Sequence, residues 1–270
     1  SNDPVGDRSG EAIYVRDDDT GLLFGPTALP VRKASGHYLA RHGRGYSRFE
    51  HTRADIALDL LQFVPGDEPV KVSRLRIRNL SGRTRHLTLT AYVEWVLGTS
   101  RSSTAPFVAT EIDPVTGGML ARNLWGGTET RVAFTDLGGL QTAWTGNRME
   151  FIGRNGTLER PAALATGAKL SGRTGAGLDP CGALQTPVVL AAHSSVELVW
   201  LLGEAGTTQA AQAVIARWRS EDVEVALQSV RADWSAVLDT ATVRTPDRAF
   251  DLMLNGWLLY QVLACRVWAR

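Results

Sequence analysis

Residues 85–97 read RHLTLTAYVEWVL, and their hydrophobicity alternates from one residue to the next. Successive side chains of an extended strand point to opposite faces of a sheet, so this alternation predicts a strand with one face in a core. The apolar positions are Leu87, Leu89, Ala91, Val93, Trp95 and Leu97. A run of this length and period excludes an amphipathic helix and makes the chain a β protein at this point.

The segment just before it is also strand-like. Residues 70–80 read VKVSRLRIRNL, and their apolar phase shifts between Val72 and Leu75. The turn-forming sequence NLSGR follows at residues 79–83. The two segments therefore predict a hairpin with a bulge in its first strand.

Further strands are predicted along most of the chain up to Gly203. They are residues 11–16, 37–42, 46–51, 56–64, 107–112, 118–123, 130–135, 141–144, 149–152 and 188–202. About a dozen strands with no helix between them indicate antiparallel sheets. We therefore predict a mainly β fold, a large antiparallel two-layer β-sandwich.

One stretch has no regular spacing of apolar residues. Residues 154–187 are rich in Gly, Ala and Pro, and an irregular connection longer than about 15 residues is uncommon inside a compact domain. It is either a functional loop or an ordered crossover that packs on the sheet.

After Gly203 the period becomes helical. Residues 208–220 and 222–239 each carry apolar side chains at the spacing of one helix face, which predicts two helices in succession. Thr245 as N-cap and Pro246 at the first helical position then predict a third helix.

The third helix is strongly apolar, and no stop signal follows it before Arg270. We therefore expect the chain to be a fragment whose last helix continues into another domain. The predicted division is a sandwich domain over residues 1–204, a helical linker over residues 205–245 and the first helix of a further domain over residues 246–270.

Composition and charge exclude several function classes. The chain has 270 residues, a formal net charge of +1 and arginines scattered among the strands, so no basic face indicates nucleic acid. Gln261 and Arg266 interrupt the most apolar window, which is too short for a membrane span. Cys181 and Cys265 lack metal-ligand spacing and are predicted to be free thiols in a reducing compartment.

Metal and cofactor sites are not expected. Asp17, Asp18 and Asp19 precede a Thr-Gly pair, and the spaced oxygens of a calcium loop are missing, so a tight turn is favoured. His37, His42 and His51 lie in two consecutive predicted strands, where a metal site is the less favoured alternative.

Candidate sugar-binding residues lie near the middle of the chain. Acid–base cleavage of a glycosidic bond needs paired carboxylates, but Glu94, Glu111 and Asp113 are explained by surface or turn roles. Residues 121–127 read ARNLWGG and place Arg122 and Asn123 close to Trp125. Hydrogen-bonding groups beside a Trp are typical of a sugar contact. A Trp that covers a sandwich edge is the alternative.

Eight longer motifs are spread along the chain. They begin at Asp3 (DPVGDRSG), Ile13 (IYVRDDDTG), Gly45 (GYSRFEH), Thr90 (TAYVEWVLG), Arg131 (RVAF), Phe151 (FIGRNG), Leu170 (LSGRTGAGLDPC) and Trp257 (WLLYQVLACRVWAR). These motifs resemble glycoside hydrolase family 94, and within it the phosphorylase-like C-terminal region of cyclic β-1,2-glucan synthases. The resemblance extends along essentially the whole chain.

The resemblance implies a fold and a chemistry. Family members have a supersandwich of the galactose-mutarotase-like kind, then linker helices, then an (α/α)6 barrel that holds the active site. The family reaction is inverting phosphorolysis, in which an aspartic acid protonates the glycosidic oxygen while phosphate attacks the anomeric carbon. That aspartate belongs to the barrel, so no catalytic residue is carried over to this chain, and no cofactor is implied.

It also implies partners and a location. The substrate is a β-glucan handled by the complete enzyme, and the sandwich is expected to support the catalytic barrel and a homodimer. The parent protein is expected at the cytoplasmic face of the bacterial inner membrane, held there by parts outside this soluble chain. Arg122, Asn123 and Trp125 are the expected glucan-binding residues. An independent carbohydrate-binding module and, less favoured, an aldose-epimerase-like enzyme remain as alternatives.

Overall fold

A computed structural model describes residues 9–32, 36–125 and 131–263. The strands of these residues form two antiparallel sheets that enclose a shared apolar layer. The first sheet contains β1 (Glu11–Asp17), β2 (Leu23–Phe24), β7 (Arg85–Glu94), β11 (Ala143–Asn147) and β12 (Pro180–Leu190). The second contains β3 (Tyr38–Gly43), β4 (Tyr46–Arg53), β5 (Ile56–Phe63), β6 (Val70–Asn79), β8 (Val108–Ile112), β9 (Met119–Asn123), β10 (Val132–Asp136) and β13 (Ser195–Ala205). The predicted mainly β, two-layer sandwich is confirmed.

The order of strands is β11-β12-β7-β1-β2 in the five-stranded sheet and β3-β4-β5-β6-β13-β10-β9-β8 in the eight-stranded sheet. Helices lie outside the two sheets. They are α1 (Arg101–Thr104), α2 (Arg148–Ile152), α3 (Thr208–Ser220), α4 (Val223–Leu238), α5 (Arg248–Leu252) and α6 (Leu258–Leu263), with a π-helical turn at Met253–Trp257 between the last two.

The alternating stretch that predicted the fold class forms the central strand of the five-stranded sheet. β7 pairs with β1 on one side and with β12 on the other. Its leucines pack between the sheets, whereas Tyr92 contacts the apolar cluster on the outer face. The strand ends at Glu94, three residues before the predicted end, because the backbone turns away and Leu97 takes a φ of +40°.

The predicted hairpin between residues 70–80 and 85–97 is wrong. β6 pairs with β5 and β13 in the eight-stranded sheet, so the chain crosses from one sheet to the other between β6 and β7. The buried Asn79 holds this corner, since its Nδ2 donates to the carbonyl oxygens of Arg83 (2.7 Å) and Ala191 (2.9 Å). The turn-forming sequence therefore marks a sheet-to-sheet corner.

The predicted bulge in β6 is also absent, since its pairing with β13 is regular. Val70 and Val72 pack on the outer face of the sheet, whereas Leu75 and Ile77 pack between the sheets. The apolar positions change from even to odd residue numbers because the two faces of this regularly paired strand are covered at different points along its length.

The outer face of the eight-stranded sheet is covered by α3 and α4. The helix α3 begins at the predicted residue and α4 begins one residue later than predicted. Their N-caps are Thr207 and Asp222, whose side chains accept backbone N–H bonds. Their apolar faces complete a second core with the sheet. It contains Leu61, Phe63, Val70, Val72, Leu120, Val132, Phe134, Leu201, Ala205, Ala211, Ile215, Trp218, Val223, Leu227 and Val230.

The outer face of the five-stranded sheet is covered by the irregular stretch between β11 and β12. Phe151 stacks on Tyr92 with ring centroids 4.7 Å apart, and Leu164 and Leu170 belong to the same buried cluster. The ordered crossover was thus the correct one of the two interpretations. The predicted strand at residues 149–152 is α2 instead, capped by Asn147, and the predicted strand at 188–202 is divided between β12 and β13.

The last helical segment begins at Arg248, because Asp247 rather than Thr245 is the N-cap. Thr245 instead donates its Oγ1–H to Asp251 Oδ1 at 2.8 Å. Several apolar side chains of this segment are exposed in the described part of the chain, which ends at Leu263. They include Phe250, Leu252, Met253, Trp257, Leu258 and Val262.

Candidate functional site

Arg122 and Asn123 end the strand β9, between β8 and β10. Met119 and Ala121 of this strand pack between the sheets, while Leu120 packs toward the helices. Because side chains alternate along a strand, Arg122 lies on the helix side and Asn123 on the inner side. The structure therefore separates two residues that the sequence placed in one candidate site.

The Arg122 guanidinium is held by protein groups. It forms an ion pair with Glu111 of β8, and its Nη2 donates to Thr208 Oγ1 at 2.7 Å. These contacts tie β8 and β9 to the first residue of α3, so Arg122 connects the sheet to the helical layer.

Asn123 organises the neighbouring loop. Its Nδ2 donates to the carbonyl oxygen of Leu97 at 2.9 Å, and its Oδ1 accepts the backbone N–H of Trp125 at 2.9 Å. The side chain thus fixes the turn that follows β9, and with it the direction of Trp125.

Trp125 is the exposed member of the three, with 69% of its surface accessible. Its ring lies against Phe107, with centroids 4.5 Å apart and an interplanar angle of 44°. The backbone N–H of Leu124 also bonds the Phe107 carbonyl at 2.9 Å. We call Trp125 and Phe107 the aromatic pair. A supported, exposed indole face suits stacking against the C–H face of a sugar ring.

A charge network that the sequence did not reveal holds the segment that leads into Phe107. Arg101 of α1 and Arg148 of α2 both contact Glu94, with Nε to carboxylate distances of 2.8 and 3.0 Å, and both also contact Asp179. The four residues are far apart in sequence, so no spacing pointed to them. The network anchors α1, which leads directly into Phe107.

The other candidate carboxylates are engaged in structural bonds. Asp113 is buried and accepts Thr116 Oγ1–H (2.6 Å) and Gln212 Nε2–H (2.7 Å). Burial alone raises the pKa of Asp113, but the hydrogen bonds from Thr116 and Gln212 outweigh it and hold the pKa below its ordinary value. Glu111 is occupied by Arg122.

The three successive aspartates form a turn, as predicted. Asp17 is buried beside Arg85, and its Oδ1 accepts the backbone N–H of Asp19 at 3.0 Å. Burial raises the pKa of the Asp17 carboxyl, but the Arg85 guanidinium and the turn N–H groups outweigh that effect and keep the pKa below its ordinary value. Among the described residues, no His, Cys, Asp and Glu side chains form a group of three that could hold a metal.

The histidines are spread along the β3–β4 ribbon. His51 pairs in register with Tyr38 and His42 with Ser47, at opposite ends of the ribbon. His51 is buried, stacks on Tyr38 at 3.9 Å and bonds the His37 carbonyl through Nδ1. Burial lowers the pKa of His51. The structure therefore keeps His42 apart from His51, so the three histidines do not converge at one point.

Cys181 is fully buried in β12, and burial raises the pKa of its thiol. A thiol that resists ionisation is a poor nucleophile. Cys265, the other predicted free thiol, lies outside the described residues.

The model of the glycosyl hydrolase 94 supersandwich domain matches residues 1–221. The chain belongs to glycosyl hydrolase family 94. The model of the family's catalytic domain matches residues 233–270, so the matched regions divide within α4 and its surroundings.

Curated relatives show the same affiliation. This family 94 chain is 39% identical to the cyclic beta-(1,2)-glucan synthase NdvB of Rhizobium meliloti over 100% of the chain and 10% of the relative. It is 29% identical to the N,N'-diacetylchitobiose phosphorylase of Vibrio furnissii over 98% of the chain and 34% of the relative. The chain therefore spans between a tenth and about a third of the length of these relatives.

Solved structures share its fold. A bacterial glucoamylase complexed with acarbose superposes with a TM-score of 0.56 at 8% identity, covering 85% of this family 94 chain and 32% of the other. A putative kojibiose phosphorylase from the human microbiome gives 0.52 at 6% identity, covering 83% and 27%. At such identities the likeness concerns the fold alone.

Not one of the helices in the described part of the chain combines sufficient length with sufficient apolar character to cross a bilayer.

Proposed function

We propose that this chain is the non-catalytic sandwich of a family 94 enzyme that processes β-linked glucan, and that it supports the catalytic barrel. In this proposal the barrel supplies the aspartic acid for inverting phosphorolysis, and the sandwich fixes the position of the first barrel helices. We further propose that the parent enzyme works at the cytoplasmic face of the inner membrane and that the sandwich takes part in a homodimer. The division at residues 204 and 245 belongs to the same proposal.

The observation that carries the proposal is the attachment of α4 and the next helical segment to the β3–β4 turn. Arg44 at this turn donates to Ser235 Oγ at 3.0 Å, forms an ion pair with Asp239 at 2.8 Å and reaches the Asn255 carbonyl at 3.4 Å. One sandwich residue thus contacts both α4 and the π-helical turn, in a region matched by the catalytic-domain model.

The exposed apolar side chains beyond this contact agree with the proposal. Phe250, Leu252 and Trp257 are each more than half exposed. A cluster of large apolar side chains is costly to leave in water and is typical of an interaction surface. The remainder of a catalytic barrel is the partner that the matched family supplies.

A pair of glycine variants tests the supporting role. A Cβ on Gly45, which has a φ of +76°, would lie 2.2 Å from Trp234 Cδ1 of α4, whereas a Cβ on Gly82 would meet nothing within 4 Å. In an enzyme that joins this chain to its catalytic domain, we expect Gly45→Ala to lower phosphate-dependent cleavage of β-1,2-glucan by about tenfold or more. Gly82→Ala is the matched control and should retain full activity.

Two results would contradict the proposal. Equal activity of both glycine variants would show that the β3–β4 turn does not position the barrel. Phosphorolysis by the 270-residue chain alone would show that the sandwich is itself catalytic.

The glucan contact is proposed for Trp125, with Asn123 orienting it and Arg122 securing the strand behind it. Calorimetric titration with a β-1,2-gluco-oligosaccharide separates this role from that of an independent binding module, which the exposed Trp125 also favours. Binding by the chain alone that Trp125→Ala abolishes supports the module. If Trp125→Ala leaves binding by the chain alone unchanged but raises the KM of the complete enzyme, the contact of Trp125 is made only in the assembled enzyme.

A further inference from the structure

A cleft of about 550 Å³ opens at one end of the sandwich, away from β9 and the aromatic pair. Three connections form it: the β1–β2 turn, the β4–β5 turn and the corner between β6 and β7. The lining residues are Asp17, Thr20, Gly21, Leu22, Ala54, Asp55, Arg83 and Arg85. The cleft therefore joins loops from both sheets, and no role assigned above uses it.

A buried ion pair forms part of the lining. Arg85 and Asp17 are both almost fully inaccessible and contact each other, and Arg85 Nη1 donates to the Ala54 carbonyl at 2.7 Å. The Nε–H of Arg85 is buried and has no hydrogen-bond partner among the described residues. Arg85 and Asp17 therefore form the fixed wall of the cleft, and the groups open to a ligand are those of the exposed rim, Arg83 and Asp55.

The rim is held in place by turn geometry. Ala54 and Asp55 have φ values of +46° and +62°, and Gly21 has a φ of +71°. Leu80 at the corner donates its N–H to the Asp55 carbonyl at 2.7 Å, and Gly21 donates to the Asp17 carbonyl at 2.8 Å. These bonds keep the carboxylate-bearing and guanidinium-bearing turns at a fixed separation, so little ordering cost remains for a ligand.

The chemistry of the lining limits the class of ligand. Asp17 and Asp55 disfavour an anion, and Arg83 and Arg85 disfavour a cation. A neutral molecule rich in hydroxyl groups uses both signs, since each hydroxyl donates to a carboxylate and accepts from a guanidinium. Thr20 adds a further hydroxyl, and Leu22 adds a small apolar surface.

We propose that this cleft is a second carbohydrate-binding site that holds a neutral glucosyl segment of the glucan. The choice of glucan among neutral polyols rests on the proposed function. Arg83 and Asp55 bind hydroxyls at the rim. Such a site retains a long polymer on the enzyme while its end is processed.

The test is a titration of the 270-residue chain with a linear β-1,2-gluco-oligosaccharide, followed by saturation-transfer NMR. We expect a dissociation constant of about 1 mM and about tenfold weaker binding for Arg83→Ala, equivalent to about 1.4 kcal/mol. Arg76→Ala is the matched control. Arg76 is 53% exposed and pairs with Glu197 at 3.1 Å, much as Arg83 is 55% exposed and pairs with Asp19 at 3.3 Å.

Three other outcomes would overturn the inference. These outcomes are no saturation transfer at about 10 mM oligosaccharide, equal weakening by Arg76→Ala, or binding that Trp125→Ala abolishes and Arg83→Ala leaves intact. Preferential binding of inorganic phosphate would assign the cleft to an anion instead. A failed titration leaves the supporting role standing, because the glycine pair tests that role in the complete enzyme.

Discussion

The two sheets of the sandwich are covered on their outer faces in different ways. The eight-stranded sheet carries two regular helices, α3 and α4, whereas the five-stranded sheet carries an irregular stretch with short helical turns. Both coverings bury a large aromatic ring, Trp218 in the first and Phe151 in the second. They differ in where the backbone N–H and carbonyl groups of the covering chain find their hydrogen-bond partners.

A helix pairs its backbone groups internally, so the helical layer is attached through side chains. Trp218 Nε1 donates to Glu68 at 2.7 Å, and Arg219 forms two bonds to the buried Asp136. The irregular layer has no internal ladder, so its backbone bonds to the sheet edge. Gly146 N–H reaches the Arg173 carbonyl at 2.7 Å, and Gly172 N–H reaches the Trp144 carbonyl at 2.9 Å. Side-chain substitutions should therefore detach the helical layer more readily than the irregular one.

The largest effect is expected at Trp218, which is 2% exposed. Trp218→Ala removes a buried ring and leaves Glu68 with fewer partners, so the free energy of unfolding should fall by about 3–5 kcal/mol. Urea denaturation measures it. Trp125→Ala, at an exposed tryptophan, is the control and should cost less than about 1 kcal/mol. Similar losses of stability for both variants would show that the buried and the exposed tryptophan contribute equally.

Arg219 comes next. Arg219→Ala leaves the carboxylate of Asp136 buried with fewer partners, and we expect a loss of about 3 kcal/mol. The neighbouring Arg217 forms an exposed pair with Glu68, so Arg217→Ala should cost less than about 1 kcal/mol. If Asp136→Ala combined with Arg219→Ala were as unstable as the sum of the single variants, the two side chains would not act as a pair.

Phe151 tests the other covering. Phe151→Ala should lower the free energy of unfolding by less than about 3 kcal/mol, which is the low end of the range for a buried phenylalanine. The loss is smaller because the irregular layer can open locally before the sandwich unfolds. Hydrogen exchange should show faster exchange within residues 153–172 and little change in β7. Uniformly faster exchange through both sheets would mean that the irregular layer is part of the global folding unit.

Acid pH should have the smallest effect and lower the free energy of unfolding by about 1 kcal/mol, through the helical layer. The Asp113 carboxylate, bonded to Gln212 of α3, has a pKa below its ordinary value. Its contribution is complete above the ordinary carboxyl pKa of about 4 and is lost as the pH falls through the folded value, because the unfolded chain binds the proton first. Asp113→Asn should flatten this part of the stability curve, whereas Asn at the exposed Asp67 should not. If the free energy of unfolding of Asp113→Asn fell with pH as steeply as that of the parent chain, the acid sensitivity would belong to other groups.

Local patterns predicted most of the elements correctly. The alternation in β7 and the helical period of α3 and α4 each correspond to one covered face. The predicted N-cap Thr245 was wrong, since Asp247 caps that helix. The strand predicted at residues 149–152 failed because Asn147 caps a short helix there. Such a short segment carries too few residues for its period to decide between strand and helix.

The candidate site was less accessible to sequence reasoning. Arg122, Asn123 and Trp125 are close in sequence, but the strand places the first two on opposite faces and leaves Trp125 exposed beside Phe107. The Glu94 and Asp179 carboxylates that anchor this region share two arginines from distant segments. No local spacing contains that information.

By itself, the sequence determined the class of fold, the two docked helices and the family, because periodicity and long motifs are local properties of the chain. The tertiary structure alone decided that β6 and β7 belong to different sheets, that the irregular stretch is a covering layer and that three connections form the polar cleft around Arg85. Those features depend on contacts between residues far apart in the chain. Their free energies appear only when both sheets are assembled.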